Sequence, residues 1–194
     1  KPFTAKLATR AAHGQDPQPQ EFTFAGDDLK NPAIHASNFL IEVYFRADGD
    51  GLIIGKQQRT GYSLQLRDGR AVFRVAAAGG VSAELTSQAQ MSDGRWHHVL
   101  AESDRESRVL SLYVDGQLDG TGRGIDKVSL ANDGDLNVGG SSEGDHLSGA
   151  IDFLRIAHGT LADAYTSIEE LYAWQFDGPV RRDMRGVPPQ GKGR

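Results

Sequence analysis

Residues 46–54 read "RADGDGLII", a stretch whose acids and glycines have the look of a calcium loop. In the twelve-residue EF-hand pattern, acidic oxygens occupy positions one, three and five, glycine position six, an apolar residue position eight and a bidentate glutamate position twelve. Asp48, Asp50, Gly51 and Ile53 match positions three, five, six and eight. Position one is then Arg46 and position twelve Gln57, so a cation and a neutral amide stand where two carboxylates are needed. The charge count fails. The flanking residues read as strands rather than helices, so the stretch is expected to be a β-turn with Asp48 and Asp50 facing solvent.

The other candidates for chemistry are sparse. His97 and His98 are adjacent, and adjacent strand residues point to opposite faces, so the two are not expected to chelate one ion. His13, His35, His146 and His158 lack ligand spacing, and the chain has no cysteine for thiolate or disulfide chemistry. There is no nucleophile elbow, P-loop or dinucleotide fingerprint, and no residue is assigned a catalytic role. Asp152 stands out. In "GAIDFLRI" strict alternation puts it on the face of Leu154 and Ile156, where an ionised carboxylate needs a counter-charge or a metal.

The elements that position these residues are short runs of β-branched and aromatic residues broken by turns. "FLIEVYFRA" alternates with Phe39, Ile41, Val43 and Phe45 on one face. "GYSLQLRDGRAVFRV" and "SRVLSLYVDGQLDG" are paired runs joined by Asp68-Gly69 and Asp115-Gly116, dipeptides that supply the positive φ angles of a tight hairpin. Together with "EFTF", "GLIIGK", "VSAELTS", "WHHVLAES", "DLNVGG" and "LSGAIDFLRIA" they give roughly ten strands at the spacing of an antiparallel sandwich. One helix is expected in "TSIEELYAW", where Thr166 and Ser167 precede Glu169 and Glu170 in a capping-box pattern and Ile168, Leu171 and Tyr172 share a face.

A chain of 194 residues suits one domain, placed at 21–178 between a Pro/Gln-rich connector at 1–20 and a basic tail at 179–194. The tail holds Arg181, Arg182, Arg185, Lys192 and Arg194 against Asp183, while the whole chain carries a net charge of −5. No global basic field exists to attract nucleic acid. No apolar run approaches the roughly 20 residues that span a bilayer, so membrane insertion is not expected.

Three segments in order, "DGRWHHVLAES", "LSLYVDGQL" and "LSGAIDFLRIAHGTL", resemble the laminin-G-like, concanavalin A-like superfamily. "FRADGDGLIIGK" and "GYSLQLRDGRAVFRV" fit the same pattern upstream, so the resemblance covers about residues 21 to 175. It implies an all-β fold, an antiparallel jelly-roll sandwich of two curved sheets, with Trp96 as a core anchor. The family serves glycan binding, adhesion and, in some branches, glycoside hydrolysis or polysaccharide cleavage, so the fold does not choose among them. The paired-glutamate strand of its β-glucanases is missing: in "EGDHLSG" Glu143 and Asp145 match, and no second Glu follows.

The resemblance also implies a structural Ca²⁺ held by Asp152 with Gly26, Asp27 and Asp28 of "FAGDDLK", a plausible oxygen set for this ion. A second calcium site, known at the sandwich rim of animal relatives, would need an Asp where Thr60 and Gly61 stand here. Tyr62, Tyr165 and Trp174 are the aromatics outside the clearest core runs and the candidates for stacking on a sugar ring. The expected function is that of a non-catalytic carbohydrate-binding or adhesion-type module of a secreted bacterial protein. Its partner would be a glycan, a cell-surface polymer or other domains of a larger polypeptide, in an extracellular, cell-surface or periplasmic setting. A glycoside hydrolase or polysaccharide lyase, and a protein-contact module, are the alternatives.

Overall fold

A computed structural model describes residues 33–141, 144–164 and 168 in full and the backbone of residues 3–8 and 19–24. The described strands are β1 (Phe3–Ala8), β2 (Pro19–Phe24), β3 (Phe39–Ala47), β4 (Gly51–Gln57), β5 (Gly61–Arg67) and β6 (Arg70–Ala76), then β7 (Ser82–Thr86), β8 (Trp96–Asp104), β9 (Val109–Val114), β10 (Gln117–Arg123), β11 (Leu136–Val138) and β12 (Gly149–His158). They form two sheets, of order β2-β1-β11-β4-β5-β6-β7 and β10-β9-β8-β3-β12. All pairings between named strands are antiparallel except β1 with β11. The protein is an all-β sandwich, as its periodicity implies.

Alternation decides which side chains meet between the sheets. Phe39, Ile41, Val43 and Phe45 of β3 are fully buried in one cluster with Leu64 and Phe73 of the facing sheet and Val99, Leu110 and Leu112 of its own. Phe39 packs obliquely on Tyr62, with ring centres 5.5 Å apart, and edge-on to Phe73 at 6.0 Å, geometries that aromatic quadrupoles favour. Both Asp-Gly hairpins adopt the expected positive φ at each central residue: 52° and 72° at Asp68 and Gly69, 50° and 81° at Asp115 and Gly116.

Two placements differ from the sequence reading. β1 lies within the segment read as a connector; "FTAKLA" is a short alternating run that composition alone obscured. Trp96 is not a core anchor. It is 39% exposed on the outer face of the five-stranded sheet, stacked on Tyr44 with ring centres 5.1 Å apart, because β8 presents Val99 and Ala101 inward and Trp96, His98 and Leu100 outward. Of the residues expected to form the terminal helix, Ile168 is described and packs with Leu40, Leu100 and Leu161 on that outer face; the rest of "TSIEELYAW" lies outside the described residues.

Candidate functional site

Alternation also leaves one row of residues pointing outward from the seven-stranded sheet. Asn137 of β11 pairs with Gly55 of β4, Gly55 with Ser63 of β5, Ser63 with Arg74 of β6, and Arg74 with Glu84 of β7. The row crosses the strands at right angles, so at about 4.8 Å per strand Asn137 and Arg74 stand roughly 14 Å apart. Its middle is low. Gly55 has no side chain, and a Cβ there would already lie 3.2 Å from Leu52 Cδ1 and 3.5 Å from Ser63 Cβ. Small residues between an amide and a guanidinium thus make the floor of a groove of about 490 Å³, walled by Gln57, Gln65, Asp135, Ser141 and Asp145.

Two local features build this groove. In β4 the register shifts between Leu52 and Ile54, which lets Ile53 and Ile54 both enter the core and returns Gly55 to the outer face. The loop after β11 is stitched back to β4: Gly139 N–H donates to Ile53 O at 2.9 Å and Leu52 N–H to Asp145 O at 2.8 Å. That stitching carries Ser141 and Asp145 to the groove wall, where the Ser141 N–H donates to Asp145 Oδ1 at 3.0 Å. Lys56, buried beneath the rim, donates to Gly134 O; burial lowers its ammonium pKa, opposed by attraction to Asp135 and Asp133. At the same rim Thr60 Oγ1 donates to Ala131 O at 3.1 Å. Gly61 must be glycine: its φ is +130° and a Cβ would fall 1.9 Å from Lys56 O.

The residues singled out in the sequence are placed elsewhere. Tyr62 is no sugar platform. It is 1% exposed, packed against Phe39, and burial pushes its hydroxyl pKa up. Asp152 is not buried beside Leu154 and Ile156. The pairing of β12 with β3 shifts between Ile151 and Phe153, so Asp152 occupies a bulge and is exposed, while Ile151, Leu154 and Ile156 pack on the core. The need for a counter-charge therefore disappears. Gly26, Asp27, Asp28, Tyr165, Trp174 and Glu143 lie outside the described residues. Among the described residues no three His, Asp or Glu side chains gather as a metal set.

Asp50 has a structural task. Its carboxylate accepts the N–H groups of Asp68 and Gly69, at 2.7 and 2.8 Å, and so caps the β5–β6 hairpin from the neighbouring turn. His97 sits between Asp93 and Asp115, at 3.0 and 2.8 Å. His98 points the opposite way, to Glu42 at 2.9 Å, and Arg155 reaches the other oxygen of Glu42 at 2.5 Å. Glu42 and His98 are both fully buried on the outer face of the five-stranded sheet. Close by, Glu102 accepts the Leu161 N–H at 2.7 Å; burial raises its carboxyl pKa against that hydrogen bond, with Asp104 and Asp163 adding repulsion.

Of the groove residues the sequence drew attention only to Asp145, in an incomplete glucanase pattern, and Gln57, in a failed EF-hand pattern, and gave neither a binding role. The signal of the others was present in part, since Ser63, Gln65 and Arg74 are the polar alternates of "YSLQLRDGRAVFRV". What the sequence lacked was the strand order that sets Asn137 beside Gly55.

Comparison with known proteins agrees with this architecture. The model of the concanavalin A-like lectin/glucanases superfamily matches residues 26–164. The chain is 34% identical over 79 residues to a laminin subunit alpha of Drosophila melanogaster, which covers 39% of this chain and 2% of that protein. Among solved structures it is similar to the binding domain of Paraclostridial Mosquitocidal Protein 1, with a TM-score of 0.60, 14% identity, and coverage of 81% of this chain and 41% of that one. It is also similar to domains LG4-5 of the mouse laminin alpha1 chain, with a TM-score of 0.52, 23% identity, and coverage of 62% and 36%. A third is the botulinum neurotoxin serotype G binding domain, with a TM-score of 0.55, 14% identity, and coverage of 74% and 37%. The chain spans a small fraction of the laminin subunit and less than half of each of these solved chains. With its inward and outward alternation, its two sheets and a family model spanning residues 26–164, the chain belongs to the concanavalin A-like lectin/glucanases superfamily.

Proposed function

We propose that this is a non-catalytic carbohydrate-binding module, the glycan lying in the groove across β11, β4, β5 and β6. The observation that carries the reading is the row Asn137, Gly55, Ser63, Arg74: planar and hydroxyl donors and acceptors around a low floor, the inventory that pairs with sugar hydroxyls. The non-catalytic part of the proposal is supported by the sequence, which lacks the second Glu of the paired-glutamate strand that the β-glucanases of the superfamily use. By similarity to binding domains of larger proteins, the module would serve a secreted bacterial polypeptide at the cell surface, in the periplasm or outside the cell.

A glycan array followed by titration calorimetry tests the proposal. Binding to at least one polysaccharide is expected, weakened several-fold by Gln65→Ala or Asn137→Ala at unchanged melting temperature. Failure to bind any glycan, or equal binding by both variants, refutes it, and reproducible depolymerisation of a polysaccharide refutes its non-catalytic part.

Calcium at Asp152 is a separate proposal. The described residues do not by themselves make a fit, since Asp152 is a lone exposed carboxylate there and Gly26, Asp27 and Asp28 lie outside the described residues. A ligand selective for the folded state raises its stability. A metal-free sample is therefore expected to melt higher once Ca²⁺ is added, and Asp152→Ala to lose that gain; unchanged melting removes the metal.

A further inference from the structure

Resting on the groove as the glycan site, we propose that its ligand is an acidic glycan whose carboxylate or sulfate group is held by Arg74. The charges of the groove are segregated. Its acids lie on the β11 side, where Asp145 keeps its negative charge while accepting from the backbone and hydroxyl of Ser141, and Asp135 attracts the buried cation Lys56. At the β6–β7 end the count is reversed. Glu84, directly across from Arg74, is engaged by Arg67 at 2.5 Å, which leaves two guanidinium groups to one carboxylate. Arg74 has neither an ion pair nor a hydrogen bond among the described residues, and it is exposed in the groove.

A guanidinium is a planar fork that matches a carboxylate or sulfate with two parallel hydrogen bonds, and it gains most where no internal acid competes. Ser63 stands next to it in the row and Gln65 further along the same strand, so a sugar whose acid group meets Arg74 would set its hydroxyls over the low centre at Gly55. Asn137, roughly 14 Å away by strand spacing, would meet the other end. The row therefore reads a ligand with direction, acidic at one end and neutral along the rest.

The test compares three polymers on the full chain by calorimetry at low and at physiological salt: a neutral glucan, a polyuronate and a sulfated glycosaminoglycan. The polyuronate, the sulfated polymer or both are expected to bind more tightly than the glucan and to weaken with salt. Arg74→Gln should lower that affinity by on the order of tenfold, as for a hydrogen bond to a charged group, and Arg74→Lys should restore only part of it. Acidic polymers binding no better than neutral ones overturn the inference while leaving the groove reading intact, provided Gln65→Ala and Asn137→Ala still weaken the neutral ligand. Acidic polymers binding equally well to Arg74→Gln place the contact elsewhere, the basic 179–194 segment being the obvious source, and also overturn it. No binding to any polymer removes both the inference and the reading beneath it.

Discussion

Replacing Asp50 by alanine distinguishes a turn cap from a calcium ligand, and the structure gives the size of the effect. The carboxylate accepts two backbone N–H groups, from Asp68 at 2.7 Å and Gly69 at 2.8 Å, in a turn where both residues hold positive φ. The same turn is tied on its other side by the Met91 N–H donating to Gly69 O at 2.7 Å. A buried hydrogen bond to a charged group contributes about 1.5–3 kcal/mol. Asp50 is exposed, so screening and competing water reduce the pair together to about 2 kcal/mol. For a protein of this size that is a fall in melting temperature of about 4–8 °C. Asp50→Asn keeps one acceptor oxygen and should lose about half as much.

Asp48 is the internal control. Its carboxylate makes no hydrogen bond among the described residues, so Asp48→Ala should fall within about 0.5 kcal/mol of the parent. The assay is urea and thermal unfolding of the four proteins, each with calcium and with a chelator. Equal losses for Asp48→Ala and Asp50→Ala, or a calcium-dependent gain that both variants abolish, would refute the capping argument and restore a metal role for the turn.

Three further outcomes follow from the outer face of the five-stranded sheet. Glu42→Ala should cost about 3 kcal/mol, because it strips a buried His98 of its acceptor, and Glu42→Ala with His98→Ala should cost at least about 1 kcal/mol less than the two singly; an additive cycle by urea unfolding would show that the pair does not act as a unit. Trp96→Ala should cost about 2–3 kcal/mol, of which the stack on Tyr44 supplies about 0.5–1.5 kcal/mol beyond the apolar area the half-covered indole buries, and a loss below about 0.5 kcal/mol would mean that the stack contributes nothing. Glu102 has a carboxyl pKa raised by burial, so the folded state binds its proton more tightly than the unfolded chain, and its contribution is full below the ordinary glutamate value and is lost as pH rises through the raised one. The stability of the parent relative to Glu102→Gln should therefore fall as pH is raised across that window, and a difference that does not change with pH would contradict the assignment.

The two-residue period of the strands and the two Asp-Gly hairpins were readable from the sequence because both are local: side-chain alternation and positive φ depend on a few neighbouring residues. That period also separated His97 from His98 and ruled out the EF-hand. It misplaced Asp152, because a bulge in β12 is a property of its pairing with β3 and shifts every face assignment past it by one. It buried Trp96 by residue type, though β8 turns that position outward. The capping of one hairpin by Asp50, eighteen residues before Asp68, and the burial of Glu42 with His98 across fifty-six residues are likewise invisible to a local pattern.

The groove shows the same division most clearly. The sequence determined that Ser63, Gln65 and Arg74 point away from the core, and that no paired-glutamate strand is present. Only the tertiary structure decided that β11 lies beside β4, and so that Asn137, Gly55, Ser63 and Arg74 form one row. The reason is physical: which face a residue takes is fixed by its own strand, whereas which residues share a site is fixed by hydrogen bonding between strands far apart in the chain.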